Sequence, residues 1–117
     1  MALYTCGHII PDSDSVCSAI SLAYLLNKIG RAATPARQGE LNPETKFILD
    51  KFGFEAPVLK TSFAGDELFI TDYSDIAQAP QDLDKTTVVG IVDHHKLGDI
   101  TTSAPLECWI RPVGCTN

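Results

Sequence analysis

The sequence predicts an α/β domain built on a mostly parallel sheet flanked by helices. Two patterns carry the prediction. Apolar strand-like runs alternate with helical segments, the order from which parallel sheets are made. Three of those runs also end in the same way: Thr5-Cys6 just before His8, Ile70-Thr71 before Asp72, and Ile91-Val92 before Asp93. The C-terminal ends of parallel strands share one edge of a sheet, where ligand sites form. Metal-ligand and acid–base side chains far apart in sequence would therefore be delivered to one place.

Each element has a local reason. Leu3-Tyr4-Thr5-Cys6 is a short apolar run stopped by Gly7, and it reads as a buried strand. Pro11 breaks the backbone, and Asp12, Ser13 and Asp14 offer N-caps whose carboxylates suit a helix dipole. Val16, Ala19, Ile20, Ala23, Leu26 and Ile29 then recur at helical spacing up to Gly30. A short strand within residues 31–37 is weakened by Pro35. Asn42-Pro43-Glu44 is a cap with proline at the first helical position, and Gly53 ends that helix. Val58-Leu59 suggests a minor strand, Leu68 to Thr71 a clear one, and Ala79 to Leu83 a weak helical turn. Thr87 to Val92 is the strongest strand signal, and Leu106 to Ile110 alternates like a further strand. Pro112 to Asn117 reads as a loop leading into a helix, so the domain is expected to be incomplete at residue 117.

Composition narrows the class. With 117 residues, 44% hydrophobic and 21% charged, the chain suits one compact domain. No apolar run approaches the roughly 18 residues of a membrane span, and residues 1–15 lack the features of a secretory leader. Nine Lys plus Arg against fifteen Asp plus Glu give a net charge of −6, which does not attract nucleic acid. Cys6, Cys17, Cys108 and Cys115 form no CxxC pair, sit among apolar or small residues and read as buried free thiols in a reducing cytoplasm.

The chemistry lies in His8, Asp12, Asp14, Asp72, Asp93, His94 and His95. Singly, each has a plain structural explanation: Asp12-Ser13-Asp14-Ser15 caps a helix, Asp72 ends a strand, and His94-His95 is an isolated pair. Together, at three parallel strand ends, they form an imidazole and carboxylate set suited to divalent ions such as Mn²⁺ and Co²⁺. His8 and Asp12 can wrap one ion, Asp12 and Asp14 can face neighbouring ions, and Asp72 can bridge the two. Two ions about 3.5–4 Å apart suit displacement at phosphorus.

The segment Gly7-His8-Ile9-Ile10-Pro11-Asp12-Ser13-Asp14-Ser15-Val16-Cys17-Ser18-Ala19, with Asp93-His94-His95, resembles the DHH phosphoesterase superfamily. The first motif and the tail Trp109-Ile110-Arg111-Pro112-Val113-Gly114-Cys115-Thr116 are similar to the manganese-dependent (family II) inorganic pyrophosphatases, of which this chain matches the N-terminal part. The resemblance implies a Rossmann-like DHH domain over residues 1–117. It implies that a metal-bound hydroxide hydrolyses pyrophosphate to two phosphates, with no covalent intermediate. His8, Asp12 and Asp72 would hold the first ion, and Asp14, Asp72 and His94 the second, with Asp72 bridging. The ions would be Mn²⁺ or Co²⁺, with Mg²⁺ possible alongside substrate. His95 would bind a phosphate oxygen as a catalytic and substrate-binding residue. Asp93, counted with His95 as catalytic, would orient a metal-ligand histidine, and Ser15 and Ser18 would serve the helix.

The resemblance further implies a homodimer, while the thiols, charge and hydropathy above lead to the expectation of a cytoplasmic protein with no nucleic-acid or membrane partner. A further aspartate on the second ion, and a second domain with basic residues for the substrate, would lie outside these residues. Lys46, Lys51, Lys60 and Lys85 are dispersed, and Arg37 and Arg111 have no motif behind them. This stretch alone is therefore expected to bind metal weakly and to turn over poorly. Other superfamily phosphoesterases (for oligonucleotides, cyclic dinucleotides or polyphosphate) and a non-catalytic metal-binding domain remain alternatives.

Overall fold

The computed structural model describes all 117 residues, Met1–Asn117. Its centre is a six-stranded sheet in the order β3-β2-β1-β4-β5-β6, in which every neighbouring pair is parallel. The strands are β1 (Leu3–Cys6), β2 (Thr34–Arg37), β3 (Val58–Leu59), β4 (Glu67–Thr71), β5 (Thr87–Asp93) and β6 (Glu107–Ile110). The helices are α1 (Ser13–Lys28) and α2 (Pro43–Phe52). The parallel pairing and the strand positions follow the sequence reading closely.

Proline is accommodated inside β2 by register. The Arg37 carbonyl accepts from the Lys60 N–H, so the odd residues of β2 turn their backbone groups toward β3. Pairing with β3 begins only at Ala36, so the missing N–H of Pro35 falls where no partner strand runs.

Both helix starts were legible from their caps. The Asp12 side chain accepts from the Ser15 N–H at 2.8 Å, and that of Asn42 accepts from the Thr45 N–H at 2.7 Å. Such a cap contributes about 1 kcal/mol. Gly53 closes α2 in the left-handed conformation (φ 74°), which a side chain would disfavour.

The two faces of the sheet are covered differently. On one, Leu3, Leu26 and Phe69 pack with Leu22, Ala33, Val89 and Val92 beneath α1. On the other, Cys6, Leu68, Ile70, Val88 and Ile91 meet Phe63, Tyr73 and Ala79. That second face is roofed by loops and two 3-10 turns, Ile76–Gln78 and Leu83–Lys85, rather than by a helix. The helical turn expected over residues 79–83 is displaced: residues 79–82 are not helical, and only Leu83 falls within a 3-10 turn. Phe63 is fully buried although it belongs to no strand or helix.

The outer strand β6 is open. Glu107, Cys108 and Trp109 are exposed, and a groove of about 570 Å³ runs between α1 and β6 past Leu25, Ile29 and Val113. All four cysteines are free, but only Cys6 is buried: Cys17 and Cys115 are partly exposed, and Cys108 lies exposed on the outer strand β6. No helix is long and apolar enough to cross a membrane.

Candidate metal centre

β1, β4 and β5 lie side by side, and each hands its last residues to the same edge. Gly7 follows β1 because nothing larger fits: a Cβ there would stand 1.7 Å from the Ser15 hydroxyl oxygen. Buried Gln38 donates from Nε2 to the Gly7 carbonyl at 2.8 Å, fixing the turn that presents His8. Asp72 follows β4 with φ 68°, the one non-glycine residue in the left-handed region. Its N–H donates to the Val92 carbonyl at 2.8 Å, and its side chain is 2% exposed. A strained, buried aspartate held by its neighbours is characteristic of a working site.

The Asp72 carboxylate is divided between two groups of donors. Oδ2 lies 3.2 Å from His8 Nε2, and Asp12 Oδ1 lies 3.6 Å from the same nitrogen. Oδ1 lies 2.9 Å from His94 Nε2, which in turn is 3.4 Å from Asp14 Oδ2. An octahedral shell with bonds of about 2.1 Å places adjacent donors about 3.0 Å apart. Both groups are therefore closed to the scale of one cation each, and they share Asp72.

Charge points the same way. Asp12, Asp14, Asp72 and Asp93 converge, yet the lysine and arginine side chains make a single ion pair, Lys60–Asp66. Lys60 also lies over the Tyr4 ring, and Arg37 is spent on the carbonyls of Pro57 and Gly39. Carboxylates gathered without a cationic side chain suit divalent ions. The residues present thus fit the manganese pair expected from the sequence.

Asp93 belongs to a further donor group with Asp72, His94 and His95, but its Oδ1 is taken up by hydrogen bonds. Its buried Oδ1 accepts from the His94 N–H at 2.8 Å, the His95 N–H at 3.3 Å and His95 Nδ1 at 2.7 Å. It therefore builds the turn after β5 and holds the His95 ring. Its Oδ2 is buried without a partner. The His95 side chain remains half exposed at the mouth of the site. The loop behind it is tied to the segment after β4. The Gly98 N–H donates to Ser74 Oγ at 2.8 Å, and the Ile76 N–H to Asp99 Oδ1 at 2.8 Å.

The environment shifts several of these groups. The hydrogen bond to Asp72 holds the His8 imidazolium above its ordinary range, against the effect of burial. The bond to Asp93 does the same for His95. Burial pushes the Asp14 carboxyl up, but donors from Thr116 and Cys115 and the nearby His94 outweigh it and hold the carboxyl below the ordinary range.

All seven residues singled out from the sequence meet at this edge. Two others were missed. Cys115 Sγ falls in a donor group with Asp14, Asp72 and His94. Burial pushes its thiol up to about 12, so it is a neutral donor, and it bonds the Val92 carbonyl at 3.3 Å. Thr116 bonds Asp14 directly. These contacts close over about a hundred residues, and no local pattern announces them.

The description "DHH family, N-terminal domain" matches residues 2–117. The chain belongs to the DHH family. A protein of Archaeoglobus fulgidus named "probable manganese-dependent inorganic pyrophosphatase" is 48% identical over 97% of this chain and 39% of its own length. The Methanocaldococcus jannaschii manganese-dependent inorganic pyrophosphatase is 44% identical over 97% of this chain and 35% of its own length. A solved structure named for a family II inorganic pyrophosphatase of Methanococcus jannaschii superposes with a TM-score of 0.89 at 44% identity. It covers 97% of this chain and 36% of that one. The chain thus spans little more than a third of the length of these relatives.

Proposed function

We propose that this domain supplies the two-cation half of a manganese-dependent inorganic pyrophosphatase, a hydrolase of phosphoanhydrides. The observation that carries the reading is Asp72, whose two oxygens face separate donor groups at 3.2 and 2.9 Å. His8 and Asp12 would hold the first Mn²⁺, and Asp14 and His94 the second, with Asp72 common to both. When bound, such a pair would polarise phosphoryl oxygens and lower the pKa of a bound water to about 7.

The chain's own residues do the rest. Asp72, fixed by its backbone bond to Val92, sets the separation of the two groups. Asp93 keeps His95 oriented through Nδ1, leaving Nε2 to meet a phosphate oxygen at the open mouth. In the metal-free protein the bond to Asp93 raises the basicity of His95.

No lysine or arginine pairs with the site carboxylates, and the matched relatives are longer than this span. Substrate phosphates are therefore gripped by basic residues of a second domain outside residues 1–117. Four free thiols support a cytoplasmic setting. The open edge of β6 supports pairing of two copies as a homodimer.

The test is Mn²⁺-dependent phosphate release by this chain alone and by a fusion to the downstream part of the Archaeoglobus fulgidus relative. The fusion is expected to cleave pyrophosphate in preference to polyphosphate or a dinucleotide, and the chain alone to turn over poorly. A fusion that prefers the dinucleotide or polyphosphate contradicts the assignment, as does one that binds Mn²⁺ without any turnover.

A further inference from the structure

The segment after β6 returns to the start of α1 and grips one side chain there. The Thr116 N–H donates to Asp14 Oδ1 at 2.8 Å, and the Thr116 hydroxyl donates to the same oxygen at 2.6 Å. The Cys115 N–H donates to Asp14 Oδ2 at 3.0 Å. The turn is itself fastened to the end of β5, because the Cys115 thiol bonds the Val92 carbonyl. Oδ1 is thus occupied by two donors, while Oδ2 is the oxygen that lies 3.4 Å from His94 Nε2.

An aspartate in the first turn of a helix has several staggered side-chain positions open to it. The three donors select one of them. We propose that Thr116 is a positioning residue for the second cation: it holds the Asp14 carboxylate with Oδ2 turned toward Asp72 and His94. This rests on the two-cation reading above. The cost of orienting the ligand is met in the folded protein before the ion arrives, and the two Thr116 donors on Oδ1 leave Oδ2, which accepts only the Cys115 N–H, turned toward the ion. Partners of this kind, one step removed from the ion, are commonly worth 10–100-fold in metal affinity.

Thr116→Val removes one donor and keeps the shape and the backbone bonds, so the effect is expected near the lower end of that range. Mn²⁺ is titrated into the protein, and free ion is read from its aqueous electron paramagnetic resonance signal. Wild type, Thr116→Val, Thr116→Ser and Asp14→Asn are compared, with circular dichroism melts to check folding. Thr116→Val is expected to weaken one site about tenfold and leave the other unchanged. Thr116→Ser, which keeps the hydroxyl, should restore wild-type binding.

Equal binding by Thr116→Val and wild type, while Asp14→Asn loses a site, overturns the positioning role and leaves the two-cation reading intact. So does an equal loss in the Val and Ser variants, which marks a merely structural contact. Wild type and Asp14→Asn binding the same number of ions defeats the two-cation reading, and the proposal with it.

Discussion

Gly90 sits in the middle of β5, three residues before Asp93, and its missing side chain is filled by a neighbour. A Cβ built there would stand 2.4, 2.5 and 2.7 Å from three atoms of the Phe69 ring. Ordinary carbon contacts begin about 3.5 Å apart, so the ring would have to retreat by about 1 Å. It has little freedom to do so, being 3% exposed and packed with Leu3 and Leu26 on the α1 face. Overpacking of this kind costs about 1–3 kcal/mol. For a chain of this size that is a fall of about 4–12 °C in melting temperature. The assay is thermal unfolding of Gly90→Ala followed by circular dichroism, with Phe69→Leu and the double variant completing a cycle. The smaller ring-free side chain should recover part of the loss in the double variant, so the two effects should be non-additive. A Gly90→Ala melt within about 1 °C of wild type, or strict additivity, would refute the packing argument.

Further outcomes follow from the shared site. Asp72→Asn is expected to remove both cations together, whereas Asp12→Asn and Asp14→Asn each remove one; metal content after gel filtration reads the difference. Asp93→Asn should leave the metal content at two and lower the rate of phosphate release by the fusion by about 10–100-fold, because the His95 ring loses its anionic partner. In the metal-free protein His8 and His95 titrate above their ordinary range. Their pairs therefore stabilise fully below the unfolded value of about 6.5 and fade as pH rises through the higher folded values. Melting temperature should fall from pH 6 to pH 8 without metal and rise over the same range with saturating Mn²⁺, since cations need the neutral rings. A flat or rising metal-free profile would contradict the assigned pairs.

The parts of this fold written in local patterns could be read directly. Apolar runs at residues 3–6, 68–71 and 87–92 are strands because parallel strands are buried on both faces. The caps at Asp12 and Asn42 mark helix starts because their side chains satisfy nearby N–H groups. Once three such strands are parallel, convergence of His8, Asp72 and His94 follows from topology. What escaped was set by distant contacts. Phe63 is buried in a stretch with no period, because the loops and not a helix roof that face. The left-handed backbone of Asp72 is imposed by its bond to Val92 and has no signature in its neighbours. The role of Asp93 in holding His95 rather than the ring of His94 depends on a turn geometry that the triplet alone does not specify. Thr116 reaches Asp14 across most of the chain, so only a folded structure could pair them.

The claim that matters most is that one carboxylate serves two ions. Electron paramagnetic resonance of the Mn²⁺-loaded protein tests it directly, because ions about 3.5–4 Å apart and joined by a carboxylate couple their spins. Two Mn²⁺ per chain with an exchange-coupled multiline spectrum, lost in Asp72→Asn, is the expected result. Two magnetically isolated ions, or a coupled pair that survives Asp72→Asn, would contradict it.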